Sequence, residues 1–440
     1  MLIEFNLGNF WSFKEVQSLQ MQAAKIRSKY PRVDDNNVAG IDGQLSLLKS
    51  KAIYGANGSG KSNLVRGMHS MLAIIQDSLK DEQVLSKKIA PFQLNEEAVS
   101  QPSFFQVSFL LNGHIFRYGF EAGKERIASE WLFGKPLNAN GKAYRERYFF
   151  TREGMGIQAN ESQFKEGSRF ARVDENNLPL YRENALFLTV LAAFNGPLSR
   201  SIARYLGENL VVVPAFSDPL LRDQSLSRMK EKGFRQKLTS LLKGVDPTIE
   251  KLEMVEPEYG GMPAGSETPT GNAKGKAGDV AIYRYQYSKE GKRGRLAPLL
   301  LSSQEAEGTK KLFYFSALIF DVLDKGKTAF IDEFDARLHP RLTRKVVELF
   351  HNPDTNPRNA QLIFVTHDSN LLDASLLRRD QVTFVKKDKC GASELYSLVE
   401  FKGVRNTASF EKDYLMGKYG AVPNNLNMVE EAVENYLAND

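Results

Sequence analysis

The chain has 440 residues, of which 42% are hydrophobic and 25% charged, with 59 Lys and Arg against 53 Asp and Glu for a formal charge of +6. These are ordinary values for a folded chain of about three domains, and they exclude wholesale disorder and a histone-like polycation. One cysteine, Cys390, leaves no internal disulfide, and the longest apolar run, Leu312–Phe320, falls well short of the ~18 residues of a membrane span.

The start, MLIEFNLGNF, has no basic segment ahead of a long apolar stretch, so no signal peptide and a cytoplasmic location are expected. Short apolar runs and turns fill the first fifty-four residues and end in the strand-like Lys51-Ala52-Ile53-Tyr54. From Ser62 the pattern becomes helical, with Leu64, Val65, Met68, Met71, Leu72, Ile75 and Leu79 on one stripe. Phe104–Leu111 and His114–Glu121 flank Asn112-Gly113, a strong hairpin signal, and Arg147–Arg152 with Gly156–Ala159 closes around Glu153-Gly154. An antiparallel β subdomain is therefore expected over about 103–160.

Helical patterns cover Glu183–Leu206 and Leu226–Leu242. Pro257–Asp279 is Gly, Pro, Ser and Thr with little to bury, and is read as a mobile loop. Then come Val280–Tyr287, a buried helix over Lys310–Leu323, and a strand at Thr328–Ile331. An amphipathic helix follows with Leu338, Leu342, Val346 and Leu349 inward, and another strand at Gln361–Thr366. Gln381–Lys386 and Glu394–Glu400 form a hairpin-like pair, and Met428–Leu437 a short acidic helix. The basic stretches Lys289–Arg295, Arg341–Lys345 and Arg378–Arg379 are read as solvated surface.

Gly55-Ala56-Asn57-Gly58-Ser59-Gly60-Lys61-Ser62 matches G-x-x-x-x-G-K-[ST] at every fixed position, between a strand and a helix. Glycines let successive backbone N–H groups turn in around phosphate oxygens, Lys61 adds charge at the β- and γ-phosphates, and the Ser62 hydroxyl can hold Mg²⁺. The strand Thr328–Ile331 runs into two acids, which successive positions send to different sides. Asp332 is the candidate for Mg²⁺ and Glu333 for the base that activates water. Phe364-Val365-Thr366-His367 ends a third strand in a histidine that could meet the γ-phosphate or its attacking water. Lys61 and Asp332 stand 271 residues apart, farther than in simpler P-loop folds.

These motifs resemble the ABC-type ATPase heads of the RecF, SMC, Rad50 and overcoming-lysogenization (OLD) group. GANGSGKSN (Gly55–Asn63) resembles their Walker A, AFIDEFDARLHP (Ala329–Pro340) their Walker B and D-loop, and FVTHD (Phe364–Asp368) their histidine switch. NLGNFWSFKE (Asn6–Glu15) is similar to their N-terminal strand, which places Trp11–Phe13 near the adenine. The resemblance implies an α/β fold: a P-loop ABC-type ATPase head with a mixed sheet, an antiparallel β subdomain and a helical insertion. It divides the chain at 1–175 (first lobe), 176–279 (helical insertion) and 280–440 (second lobe).

It also implies ATP and Mg²⁺ as cofactors, with Asn57, Gly58, Ser59, Gly60 and Asn63 around the nucleotide and Asp335 in the D-loop. The signature segment falls at Ser302–Lys311, where a Ser-x-Gly-Thr core is expected; this chain has Ala306-Glu307-Gly308-Thr309, which lacks the serine hydroxyl. Ser302-Ser303-Gln304 is an alternative register with worse spacing, and Gln93 is the candidate for the glutamine loop.

PSFFQVSFLLNGHIFRYGFEAGKERIASEWLF (Pro102–Phe133), EAEGTKKLF (Glu305–Phe313) and FEKDYLMGKYGAVP (Phe410–Pro423) resemble ATPase subunits of phage-defence and abortive-infection systems of the RloA/AbiLi kind. That implies a homodimer sandwiching nucleotide, alone or within a larger assembly, and a separate effector such as a Toprim-type nuclease. A phage-encoded trigger is a further partner to expect, and membrane is not. The 73 residues after His367 hold no Asp-x-Asp following a strand, so the nuclease is expected on another polypeptide. The alternative is a RecF- or Rad50-like DNA-repair ATPase whose basic segments, such as Lys289–Arg295, meet nucleic acid directly. No heptads run long enough for a Rad50 arm. Val385-Lys386-Lys387-Asp388 lacks the Asn or Thr that opens a guanine motif, which excludes a GTPase.

Overall fold

The computed structural model describes residues 1–43, 45–137, 144–168, 170–171, 181–255, 278–401, 403, 408–423 and 427–437. The expected mobile loop, Pro257–Asp279, lies outside these residues apart from Gly278 and Asp279. The chain forms two units interleaved in sequence: Met1–Ala215, Lys325–Phe334 and Val347–Asp440 in the first, Phe216–Asp324 and Asp335–Val346 in the second. No helix among the described residues is long and apolar enough to cross a membrane.

In the first unit, a seven-stranded antiparallel sheet runs in the order Gly156–Ala159, Arg147–Glu153, Ile127–Pro136, His114–Ala122, Ser103–Leu111, Leu2–Gly8, Gln17–Gln20. Its first five strands are the expected β subdomain, and the N-terminal pair extends it. Asn112 (φ 50°) and Gly113 (φ 73°) are both left-handed and join Leu111 to its cross-strand partner His114, the two-residue turn that matches strand twist.

The second sheet has the order Leu210–Val213, Thr328–Ile331, Gln361–Val365, Ser50–Tyr54, Val382–Lys387, Ser393–Ser397. The first five strands are parallel and the last is antiparallel, so the sheet is mixed. Ser50–Tyr54 is buried at every residue, as a central parallel strand with both faces covered must be. The buried Gln361 side chain ties the two sheets together: its Oε1 accepts from Leu2 N at 2.7 Å, and its Nε2 donates to the carbonyls of Leu2 and Leu48.

Helix Lys61–Asp77 buries Leu64, Val65, Met68, Met71, Leu72 and Ile75 in a core shared with Phe5, Leu7 and Phe105. Leu79, expected on that stripe, lies past the helix end and is exposed. The helical stretch over Glu183–Leu206 is two helices, Phe187–Ala193 and Pro197–Asn209. Left-handed Asn195 (φ 63°) and Gly196 break it, and Pro197 pre-sets the next first turn. Buried Glu130 accepts from the backbone N–H of Phe187 (2.6 Å) and Leu188 (3.0 Å), while Arg152, 3.6 Å away, donates to the carbonyls of Ala185 and Glu183. Strands not foreseen include Leu210–Val213, which joins the mixed sheet, Ile249–Met254 and Arg293–Leu300. In helix Pro340–His351 the buried side chains are Thr343, Val346, Val347, Phe350 and His351, while Leu342 and Leu349 are only partly buried, so the inward stripe is rotated from the one expected.

The second unit packs helices Asp218–Arg228, Lys232–Lys243 and Glu307–Lys325 (through Asp324) against a three-stranded antiparallel sheet. Val280–Tyr287 is its middle strand, between Ile249–Met254 and Arg293–Leu300. Phe234, Leu238, Leu242, Leu252, Ile282, Leu312 and Phe313 make its core.

Candidate functional site

Three adjacent parallel strands end side by side: Ser50–Tyr54 runs into the glycine loop, Gln361–Val365 into Thr366 and His367, and Thr328–Ile331 into Asp332 and Glu333. The carboxyl edge of a parallel sheet is where such folds hold ligands. A cavity of about 260 Å³ opens there, lined by Asn57, Gly58, Ser59, Gly60, Lys61, Ser62, Asn63, Asp332, Glu333, Val365 and His367. The motif residues Lys61 and Asp332 thus share one cavity across 271 positions of sequence. The strand bearing His367 lies between the other two, so the histidine is central rather than peripheral.

The loop's shape depends on close approaches. A side chain at Gly55 would run into the Val385 carbonyl and the Ser59 hydroxyl. Gly60 has φ 109°, and a Cβ there would collide with the hydroxyls of Ser393 and Ser12. Those two serines grip the loop from outside. Ser393 Oγ donates to the Ser59 carbonyl (2.6 Å) and sits 2.8 Å from Ser12 Oγ, which accepts from Asn63 Nδ2 at 2.9 Å. Asn63 therefore braces the loop through Ser12. Within the loop, buried Lys61 donates from Nζ to the carbonyls of Gly55 (2.7 Å) and Ala56 (2.9 Å).

Helix Lys61–Asp77 opens on Gly60 without a side-chain cap, so its positive end faces the loop. Asp332 is buried (5% exposed), while Glu333 projects outward from a left-handed backbone (φ 49°) and donates its N–H to Asp332 Oδ1 at 3.1 Å. Below the loop, Tyr414 stacks on Phe384 with centroids 5.6 Å apart and packs edge-on to Tyr54. Burial raises the Tyr414 phenol above its usual pKa. Trp11 is half exposed with the Arg66 guanidinium 5.2 Å from its ring, whereas Phe13 is fully buried in the core and has no face to offer a base.

Other candidates lie elsewhere. Gly55 is buried behind the loop and does not line the cavity. Gln93 donates to the Pro91 carbonyl and lines a separate cleft with Val99, Gln101, Lys124 and Arg126. Ala306, Glu307, Gly308, Thr309 and Asp335 belong to the second unit. There Glu307 and Gly308 open helix Glu307–Lys325; Glu307 pairs with Lys310 at 2.8 Å and with Arg337 at 3.5 Å. Ser302 N and Oγ both donate to the Asp279 carboxylate, which commits the hydroxyl of the alternative register to a local turn.

The donor set suits a polyphosphate with a hard cation. Ser59 Oγ is buried without a hydrogen-bond partner, an expense that a phosphate oxygen would relieve. Among the described residues no group of three or more His, Cys, Asp or Glu could hold a metal unaided. One hydroxyl and one carboxylate, here Ser62 and Asp332, suit a Mg²⁺ that takes its other ligands from phosphate and water.

No curated protein matches the chain at a significant level. Among solved structures, the chain is similar to an SMC head bound to the C-winged helix domain of ScpA, at TM-score 0.42 and 14% identity over 90% of this chain and 97% of that one. It is also similar to the recombination mediator protein RecF-ATP of the RecFOR pathway, at TM-score 0.31 and 11% identity over the same shares. The family model described as "AAA domain, putative AbiEii toxin, Type IV TA system" matches residues 52–373, which includes the glycine loop, both acids and His367. The chain belongs to this AAA-domain family.

Proposed function

We propose that the protein binds ATP with Mg²⁺ and hydrolyses it as an ABC-type head of the OLD/RecF-like group. The observation that carries this reading is the gathering of Lys61, Ser62, Asp332, Glu333 and His367 around one cavity at the carboxyl edge of the mixed sheet. Lys61 would meet the β- and γ-phosphates, and Ser62 and Asp332 would hold Mg²⁺, whose charge offsets that of the triphosphate. Glu333, exposed beside buried Asp332, would take the proton of the attacking water, with His367 beside it as orienter. Ala306–Thr309 and Asp335 would come from a second copy across the nucleotide, giving a homodimer.

The biological role we propose is a sensor and scaffold subunit of an abortive-infection defence system, closest in kind to RloA/AbiLi. Its ATP state would control a separate effector, a Toprim-type nuclease, in response to a phage-encoded trigger. The sequence resemblance over Pro102–Phe133 and Phe410–Pro423 supports this, as does membership in a family described by a toxin of the Type IV toxin–antitoxin class.

Lys61→Ala should abolish ATP binding in an equilibrium titration. Glu333→Gln should bind ATP, stop phosphate release and accumulate a nucleotide-dependent dimer by mass; turnover at the parent rate would overturn the assignment of the base. Purification with the product of the neighbouring gene tests the effector, and a stoichiometric ATP-sensitive complex is the expected result.

A further inference from the structure

The basic stretch Lys289–Arg295 is solvated, as its composition suggested, but on a projecting hairpin rather than on one face of a packed element. Strands Val280–Tyr287 and Arg293–Leu300 make a hairpin that is buried at its base, over Val280–Tyr283, and exposed at every residue from Gln286 to Arg295. Both faces of its outer half therefore meet solvent. A two-stranded ribbon without a covered face is marginal in water, so this one runs beyond what its own core supports. Local contacts hold it straight. Ser288 N donates to the Lys292 carbonyl at 2.9 Å, Gly291 takes the left-handed position (φ 74°), and the Arg293 guanidinium lies 4.8 Å from the centre of the Tyr285 ring.

The charges change character along the ribbon. At its base Arg284 is neutralised by two carboxylates, Asp246 at 2.7 Å and Glu305. Beyond it stand Lys289, Lys292, Arg293 and Arg295 with only Glu290 among them, a net +3 within ten residues. Glu290 accepts from Ser288 Oγ at 2.7 Å rather than from a cation. Among the described residues none of the four cations has a carboxylate partner. Arg293 leans on an aromatic ring and Arg295 Nε donates to the neutral Gln286 Oε1 at 3.0 Å, so both are oriented while their charge stays available. Tyr287, 58% exposed, adds an aromatic face near the tip.

We propose that this ribbon is a docking element for duplex nucleic acid, gripping backbone phosphates through Lys289, Lys292, Arg293 and Arg295. A two-stranded ribbon fits a major groove about 12 Å wide, and oriented guanidinium groups with spare donors are suited to phosphate oxygens. A lipid surface would need an apolar face to insert, which the ribbon lacks. A second copy of this net-positive chain offers weaker charge complementarity than a polyanion. The ribbon's role stands apart from ATP hydrolysis and does not depend on it.

The test uses the full chain and a short labelled DNA duplex of mixed sequence, titrated between about 50 and 200 mM salt. The parent should bind with an affinity that falls linearly on logarithmic axes as salt rises. The variant K289Q/K292Q/R293Q/R295Q should lose at least about tenfold in affinity at the lowest salt and flatten the slope by about 3 to 4, with ATP binding and melting temperature unchanged. If that variant melts early, the loop pair K289Q/K292Q, which alters no strand residue, should still flatten the slope by about 2. A parent that ignores the duplex at about 50 mM salt overturns the proposal, as does a variant with the parent's affinity and slope. A variant that changes the chain's mass in solution while binding DNA normally would assign the ribbon to a protein contact instead.

Discussion

Ser393 donates its hydroxyl to the Ser59 carbonyl across 2.6 Å, although 334 residues separate the two in sequence. The glycine loop is thus shaped by the last strand of the mixed sheet as well as by its own glycines. Ser393→Ala removes one buried hydrogen bond worth about 1 kcal/mol, and should weaken ATP binding about fivefold in a fluorescent-nucleotide titration. Gly60→Ala is the severe counterpart. Its φ of 109° and the collision with Ser393 and Ser12 should abolish nucleotide binding, with the two sheets still folded by circular dichroism.

Glu333 sits at φ 49°, a conformation that costs a non-glycine residue about 1 kcal/mol and that Asn tolerates best. Glu333→Asn should therefore melt at or above Glu333→Gln, and Glu333→Val should melt lowest, by a few degrees. All three should lose phosphate release, which separates the backbone effect from the chemical one.

His351 is buried with Nε2 2.8 Å from Ser50 Oγ, and burial drives its pKa from 6.5 down to about 3. The unfolded chain takes up this proton near pH 6.5 and the folded chain only near pH 3, so below 6.5 the unfolded state binds more protons. The contribution is complete above pH 6.5 and drains away as pH falls towards 3, over a span of about 5 kcal/mol. Urea midpoints measured between pH 7 and pH 4 should fall steeply for the parent and less steeply for His351→Gln.

Glu130 and Arg152 are both fully buried. Arg152→Met leaves the carboxylate uncompensated and should destabilise the protein by about 3–5 kcal/mol in urea unfolding. Glu130→Gln in the same chain should recover part of that loss, since no buried charge then remains. Additive effects in this double-mutant cycle would show that the two groups are not coupled.

The glycine loop, the acid strand and His367 were legible because each is a local pattern: a strand of stated length ending in a residue of stated chemistry. Thr328–Ile331 has the bounds expected, and the Asn112-Gly113 hairpin was readable from two turn residues. Leu210–Val213 was not, because four apolar residues directly after a helix carry no period that separates strand from helix. Its identity is decided by pairing with Thr328–Ile331, more than a hundred residues away. The grip of Ser393 and Ser12 had no signal either, since two isolated serines, one opening a strand and one in a turn, look like solvated polar residues until the fold brings them to Gly60. The same holds for the ribbon at Lys289–Arg295, where composition reported the charge but not that both faces are bare.

The order of strands in the mixed sheet has a consequence for biosynthesis. Ser50–Tyr54 emerges early, yet both of its neighbours, Gln361–Val365 and Val382–Lys387, are made more than three hundred residues later. At about 5–20 residues per second the ribosome needs roughly 15–60 s to supply them. Throughout that wait a strand that the finished fold buries at every residue has neither edge paired, so the nascent chain is a natural client for a holdase, and a polypeptide truncated before Gln361 should aggregate rather than bind nucleotide.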